Sequence, residues 1–107
     1  MTRGEVRWHQ FPRPNKRRPV LILTRDSALD FLRDVTVAPI TSTIRDIPTE
    51  VILGDIDGMP RECAVNLDHL QTIPQSNIGS LITTLSSDRM DRVRSALLFA
   101  LGFPGGS

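Results

Sequence analysis

A chain of 107 residues, 39% of them apolar and 23% charged, is long enough for one hydrophobic core and too short for two. No apolar run approaches the roughly 20 residues that span a bilayer, and Met1-Thr2-Arg3-Gly4-Glu5 opens no secretory signal. One cysteine, Cys63, excludes an internal disulfide, and with only His9 and His69 beside it builds no zinc site. The expectation is one cytoplasmic domain over residues 1–107, with 104–107 a flexible tail and with neither metal nor cofactor. The net charge of +1 conceals a split. Residues 1–25 carry seven Arg or Lys against one acid, and the remainder six against eleven, giving +6 and −5. A basic segment on an acidic body suits a polyanion.

In chain order, Gly4-Glu5-Val6-Arg7-Trp8 alternates polar and apolar and predicts a half-buried strand with Val6 and Trp8 inward. Two prolines and an asparagine make Phe11 to Lys16 a loop. Arg18-Pro19-Val20-Leu21-Ile22-Leu23 follows, an apolar run too short for a helix and free of alternation, hence a strand buried on both faces. Pro19 fits the start of such a strand, which leaves Arg18 at its mouth on a stiff backbone. A helical turn capped by Ser27 is expected next, then a strand from Val35 to Ile40, interrupted or bulged at Pro39. Thr41-Ser42-Thr43 sets three hydroxyls in a row.

Further strands are expected at Glu50–Leu53, Arg61–Leu67, Leu70–Ile73 and Asn77–Leu81, separated by the turn-rich Gly54 to Pro60. Only the end is helical. Ser86 or Ser87 caps it, Asp88 suits its positive pole, Met90, Val93, Leu97 and Leu101 form one stripe, and Gly102 ends it. Short strands closed by one amphipathic helix predict a mainly β fold, an antiparallel sheet curled into a small barrel with the helix over one face.

Arg3-Gly4-Glu5-Val6-x-Trp8, Arg18 to Leu23, Val37-Ala38-Pro39-Ile40-Thr41-Ser42 and Asn66-Leu67-Asp68-His69-Leu70-Gln71-Thr72-Ile73, in this order, resemble the MazF/PemK family of toxin endoribonucleases. The resemblance implies an SH3-like barrel of CcdB/PemK type that dimerises and cuts single-stranded RNA at short motifs without a metal. It also implies a cognate antitoxin whose disordered tail occupies the RNA groove. Arg18 matches the family's catalytic arginine and Thr41 its catalytic threonine.

The chemistry suits both side chains. A 2′-hydroxyl attacking its own phosphate gives a 2′,3′-cyclic phosphate and a 5′-hydroxyl through a phosphorane of increased negative charge. A fixed guanidinium and a hydroxyl donor both stabilise that charge. Lys16 and Arg17 are candidate phosphate contacts, as are Ser42 and Thr43. Asp68 is a candidate for orienting Arg18 or reading a base edge. His9 is the candidate base by residue type. The loop before Arg18 lacks the carboxylate found in many members, and Asn66 stands where some carry an arginine. Two rivals follow. One is a binding-only toxin like the gyrase-poisoning CcdB proteins, which rely on a tryptophan near the C-terminus, whereas the lone tryptophan here is Trp8. The other is an RNA-binding module without activity.

Overall fold

The computed structural model describes residues 1–10 and 17–106; the loop expected at Phe11 to Lys16 lies outside them. Seven strands and a terminal helix follow in order: β1 Glu5–Gln10, β2 Arg17–Ile22, β3 Asp34–Thr41, β4 Glu50–Leu53, β5 Cys63–Asn66, β6 Gln71–Pro74, β7 Ile78–Thr84 and α1 Ser87–Leu101. All pairings are antiparallel. The strand order is β4-β5-β3-β2-β1-β7, with β6 on β3. The sheet curls into a half-barrel, so the mainly β fold with one C-terminal helix is the one expected.

β2 explains the uninterrupted apolar run. Leu21 belongs to one core, with Val6, Ile40, Val51, Leu53 and Val65. Val20 and Ile22 face a second core, built with Leu29, Val35, Val37 and Ile73. All three β2 side chains are fully buried, each burial contributing roughly 1.5–3 kcal/mol. The helix covers the first core through Val93 and Ala96. The Ser86 hydroxyl accepts the Arg89 N–H at 3.2 Å and Gly102 closes the other end at φ 77°.

Several local expectations need correction. In β1 the buried residues are Val6 and His9, and Trp8 is only half-buried, because register shifts against β7 flank Arg7 and break the alternation. β1 also runs on to Gln10, since His9 and Gln10 pair with Arg18 and Arg17. Ser27 caps nothing: it lies inside a short 3₁₀ turn, Asp26–Ala28, that has no side-chain cap. β3 is unbroken at Pro39. One edge of β3 changes partner there, from β6 at Asp34–Val37 to β5 at Ile40–Thr41. The proline stands in the interval where that edge has no partner. β5 is shorter than expected, and β7 extends to Thr84 because Val6 and Glu5 pair with Thr83 and Thr84. Leu101 is 55% exposed, so the covered stripe of the helix ends at Ala100. Residues 104–106 turn back on the helix end, where Gly106 is half-buried against the Phe99 backbone.

Candidate active site

β2 pairs with β3 only where Val20, Leu21 and Ile22 meet Pro39, Ala38 and Val37. Ahead of that point the strands part, and Pro19 has no N–H with which to continue the ladder. Extending the register by two residues sets Arg18 opposite Thr41, one on each lip of the opening. Two hollows meet at this place. The first, about 310 Å³, is lined by Trp8, Arg17, Met59, Arg61 and Cys63. The second, about 560 Å³, is lined by Thr43, Arg45, Asn66, His69 and Gln71. Arg18, Ile40 and Thr41 line both. The two polar side chains therefore stand on the ridge between the hollows.

The charge there has one sign. Arg17, Arg18 and Arg61 face the first hollow, Arg18 and Arg45 the second, and among the described residues no carboxylate lines either. The Arg17 guanidinium lies over the Trp8 indole, 4.5 Å from the ring centre, a cation–π contact that holds it flat. A further groove, about 520 Å³, between β4 and the helix is lined by Asp46, Glu50, Asp88 and Asp91 with Arg92. It repels a polyanion.

Thr41 is fixed by its own turn. Its hydroxyl oxygen accepts the Thr43 N–H at 3.1 Å, which leaves the hydroxyl proton to donate outward. The following loop is moored by Glu50, whose side chain is fully buried. Its Oε1 accepts the N–H groups of Arg45 at 2.9 Å and Asp46 at 3.1 Å, and its Oε2 lies 3.6 Å from Arg45 Nε. Asp46 takes the left-handed φ of 54° that this loop requires. Across the second hollow, Asn66 Oδ1 accepts the Asp68 N–H at 3.0 Å, and Thr49 donates its hydroxyl to the Asp68 carboxylate at 2.6 Å.

Of the residues proposed from sequence, Arg17, Arg18, Thr41 and Ser42 come together around the first hollow, and Thr43 joins the second. Lys16 lies outside the described residues. Asp68 lines neither hollow and its carboxylate is held by Thr49. His9 sits across the ladder from Arg18 but is 4% exposed and lines neither hollow; burial pushes its imidazole below the ordinary 6.5. The Cys63 thiol is buried as expected and is pushed up by that burial and by the charges of Asp57 and Glu62. Arg45, Glu50, Arg61, His69 and Gln71 were not foreseen as site residues. His69 and Gln71 lie within the motif that drew attention to Asp68, but only the pairing of Thr41 with Ala64 and Ile40 with Val65 brings that turn beside β3. Among the described residues no three His, Cys, Asp or Glu side chains gather as metal ligands.

The sequence and the fold have counterparts among known proteins. The family model of PemK-like, MazF-like toxins of type II toxin–antitoxin systems matches residues 2–101. The probable endoribonuclease MazF5 of Mycobacterium tuberculosis is 39% identical over 100 residues, 92% of this chain and 91% of its own length. The endoribonuclease MazF3 of the same species is 40% identical over 83 residues, 78% of this chain and 81% of its own. Among solved structures, the M. tuberculosis toxin MazF-mt6 superposes with a TM-score of 0.85 at 35% identity, covering 92% of this chain and 97% of that one. An endoribonuclease from a mycobacterial species, in complex with its cognate antitoxin, gives 0.86 at 28% identity, covering 97% of each chain. The chain belongs to the PemK-like, MazF-like toxins of type II toxin–antitoxin systems.

Proposed function

We propose that the scissile phosphate of a single-stranded RNA sits on the ridge between the two hollows, with one flanking nucleotide on either side. The observation that carries this is the sharing of Arg18 and Thr41 by both hollows. The chain is a toxin endoribonuclease, and its reaction is transesterification. The 2′-hydroxyl attacks the adjacent phosphorus, the bond to the 5′-oxygen breaks, and the products are a 2′,3′-cyclic phosphate and a 5′-hydroxyl. Arg18 stabilises the equatorial oxygens of the phosphorane with paired N–H donors, and Thr41 adds a hydroxyl. Arg17 and Arg45 hold neighbouring phosphates, joined by Lys16, Ser42 and Thr43. DNA lacks the attacking hydroxyl and is not cut.

Proton exchange requires a group facing the hollow. His9 is walled off, and His69 is the imidazole that lines the second hollow. The proposal assigns the transfer to His69 and leaves His9 and Asp68 as supports of the strand and the turn. The protein acts as a homodimer, and its cognate antitoxin blocks the same basic surface when bound.

The test is incubation of the purified protein with a long mixed-sequence RNA in EDTA, with mapping of the product ends. Discrete cuts leaving cyclic phosphate and 5′-hydroxyl ends are expected. Intact RNA, with the protein folded and free of antitoxin, overturns the reading.

A further inference from the structure

No group of opposite charge holds Arg17. It is exposed at the head of β2, makes no ion pair among the described residues, and shares the first hollow with Arg18 and Arg61. Residues 11–16, which lead into it, contain no acid. A long side chain in such a place samples many rotamers, and fixing it against a phosphate costs rotamer entropy at the moment of binding.

The strand register supplies the restraint. Trp8 pairs with Pro19 and Gln10 with Arg17, so Arg17 stands diagonally from Trp8 on the same face of the ladder, within reach of an aromatic and a long side chain. Arg18 leaves by the other face, opposite His9. The diagonal contact is made: the Arg17 guanidinium lies 4.5 Å from the centre of the Trp8 ring. Stacking occupies the face of a guanidinium and leaves the N–H donors around its edge free, and that edge is what takes a phosphate with two bonds. The arginine covers this face of the indole, so Trp8 meets a substrate there through Arg17.

We propose that Trp8 is a positioning residue: its indole holds the Arg17 guanidinium in place before the substrate arrives, and so strengthens the grip on the phosphate next to the one cleaved. The choice of that phosphate rests on the nuclease reading; the coupling of Trp8 to a bound polyanion through Arg17 does not. A cation–π pair at this exposure should improve affinity about 2- to 10-fold.

The test is a double-mutant cycle on Trp8 and Arg17, read as affinity for a single-stranded RNA made uncleavable by 2′-deoxy substitution. Trp8→Leu, Arg17→Ala and the double variant are compared with the parent, and Trp8→Phe serves as the variant that keeps an aromatic face. Trp8→Leu is expected to weaken binding about 2- to 10-fold in the parent and to cost nothing further once Arg17 is alanine. Trp8→Phe is expected to keep most of the affinity. With cleavable RNA, Trp8→Leu should raise KM more than it lowers kcat, since the phosphate that Arg17 holds is not the reacting one. Trp8 is the sole tryptophan, so its fluorescence reads the contact with no substitution at Trp8. Acrylamide should quench it more readily in the Arg17→Ala protein than in the parent, a measurement that stands even if Trp8→Leu does not fold. An equal loss from Trp8→Leu in both backgrounds, as a base stacked directly on the indole gives, overturns the proposal, and so does unchanged quenching in Arg17→Ala. Coupled losses with RNA that the parent leaves uncut keep the positioning and sink the nuclease. Discrete cuts with independent losses sink the positioning and spare the nuclease.

Discussion

Arg18 makes no ion pair among the described residues, and its side chain is exposed at the end of a strand that is fully buried from Val20 on. Removing it takes a donor from the reaction without taking a contact from the core. Arg18→Ala should therefore lower the cleavage rate by at least about 100- to 1000-fold while moving stability by no more than about 0.5 kcal/mol. A calorimetric melt beside a single-turnover assay checks both. Thr41→Val should cost about 100-fold, and Thr41→Ser, which restores the hydroxyl, should recover most of it. His9 makes a different prediction. Its imidazole is held below the ordinary 6.5 by burial, so the unfolded chain binds a proton in an interval where the folded chain does not. Stability should fall as the pH drops below 6.5 and stay insensitive to this group above it. Melting temperatures from neutral pH down to pH 5 should show that slope, and His9→Gln should flatten it; an unchanged slope in the variant refutes the assignment.

At the scale of elements, the mooring of the loop from Thr41 to Asp46 depends on Glu50. Two backbone N–H groups point at its buried carboxylate, and each costs about 1–3 kcal/mol if left dry and unpaired. Glu50→Ala should lower the denaturant midpoint. It should also lower kcat and raise KM together, because the freed loop carries Thr41 as well as the phosphate contacts Thr43 and Arg45. Unchanged kinetics contradict that role. The turn between β4 and β5 has its own tie. Gly58 adopts φ 87°, and a Cβ there would run into the Thr83 side chain, whose hydroxyl donates to the Asp57 carbonyl at 2.9 Å. Gly58→Ala should destabilise by more than the roughly 1–2 kcal/mol of a left-handed alanine, measured by chemical unfolding. Beside it, Arg89 reaches Asp57 at 2.8 Å. Burial alone would raise the Asp57 carboxyl, but the hydrogen bonds from Arg89 and the Gly54 N–H, with the arginine charges, outweigh it and hold the group below its usual 3.8. The helix is thereby tied to the same turn.

For the whole molecule, the charge is split in space along other lines than in the chain. Arg17 and Arg18 of the basic segment are joined around the two hollows by Arg45 and Arg61 of the acidic remainder, and the groove beside the helix is acidic. Affinity for a single-stranded RNA should fall with salt, and each phosphate contact should add a slope of roughly −0.7 in log–log form. Arg17→Ala should reduce that slope by about one such step, read from filter binding of a 2′-deoxy-substituted oligonucleotide over a salt series.

What the sequence determined by itself was set by near neighbours. The run from Pro19 to Ile22 is a strand because its apolar residues do not alternate, and Arg18 stands at its mouth because a proline follows. The helix ends where Ser86 and Gly102 satisfy its open backbone groups. Arg18 and Thr41 were legible as candidates because the short motifs that hold them resemble those of the family. What only the tertiary structure decided came from pairings between distant residues. A register shift against β7 turned His9 inward and left Trp8 at the cleft, although alternation along β1 pointed the other way. The pairing of β5 with the end of β3 carried His69 to Thr41, and the burial of Glu50 shaped the loop between them. A strand's own residues set its periodicity, but its partner sets its register, and a shift of one residue exchanges the buried face for the exposed one.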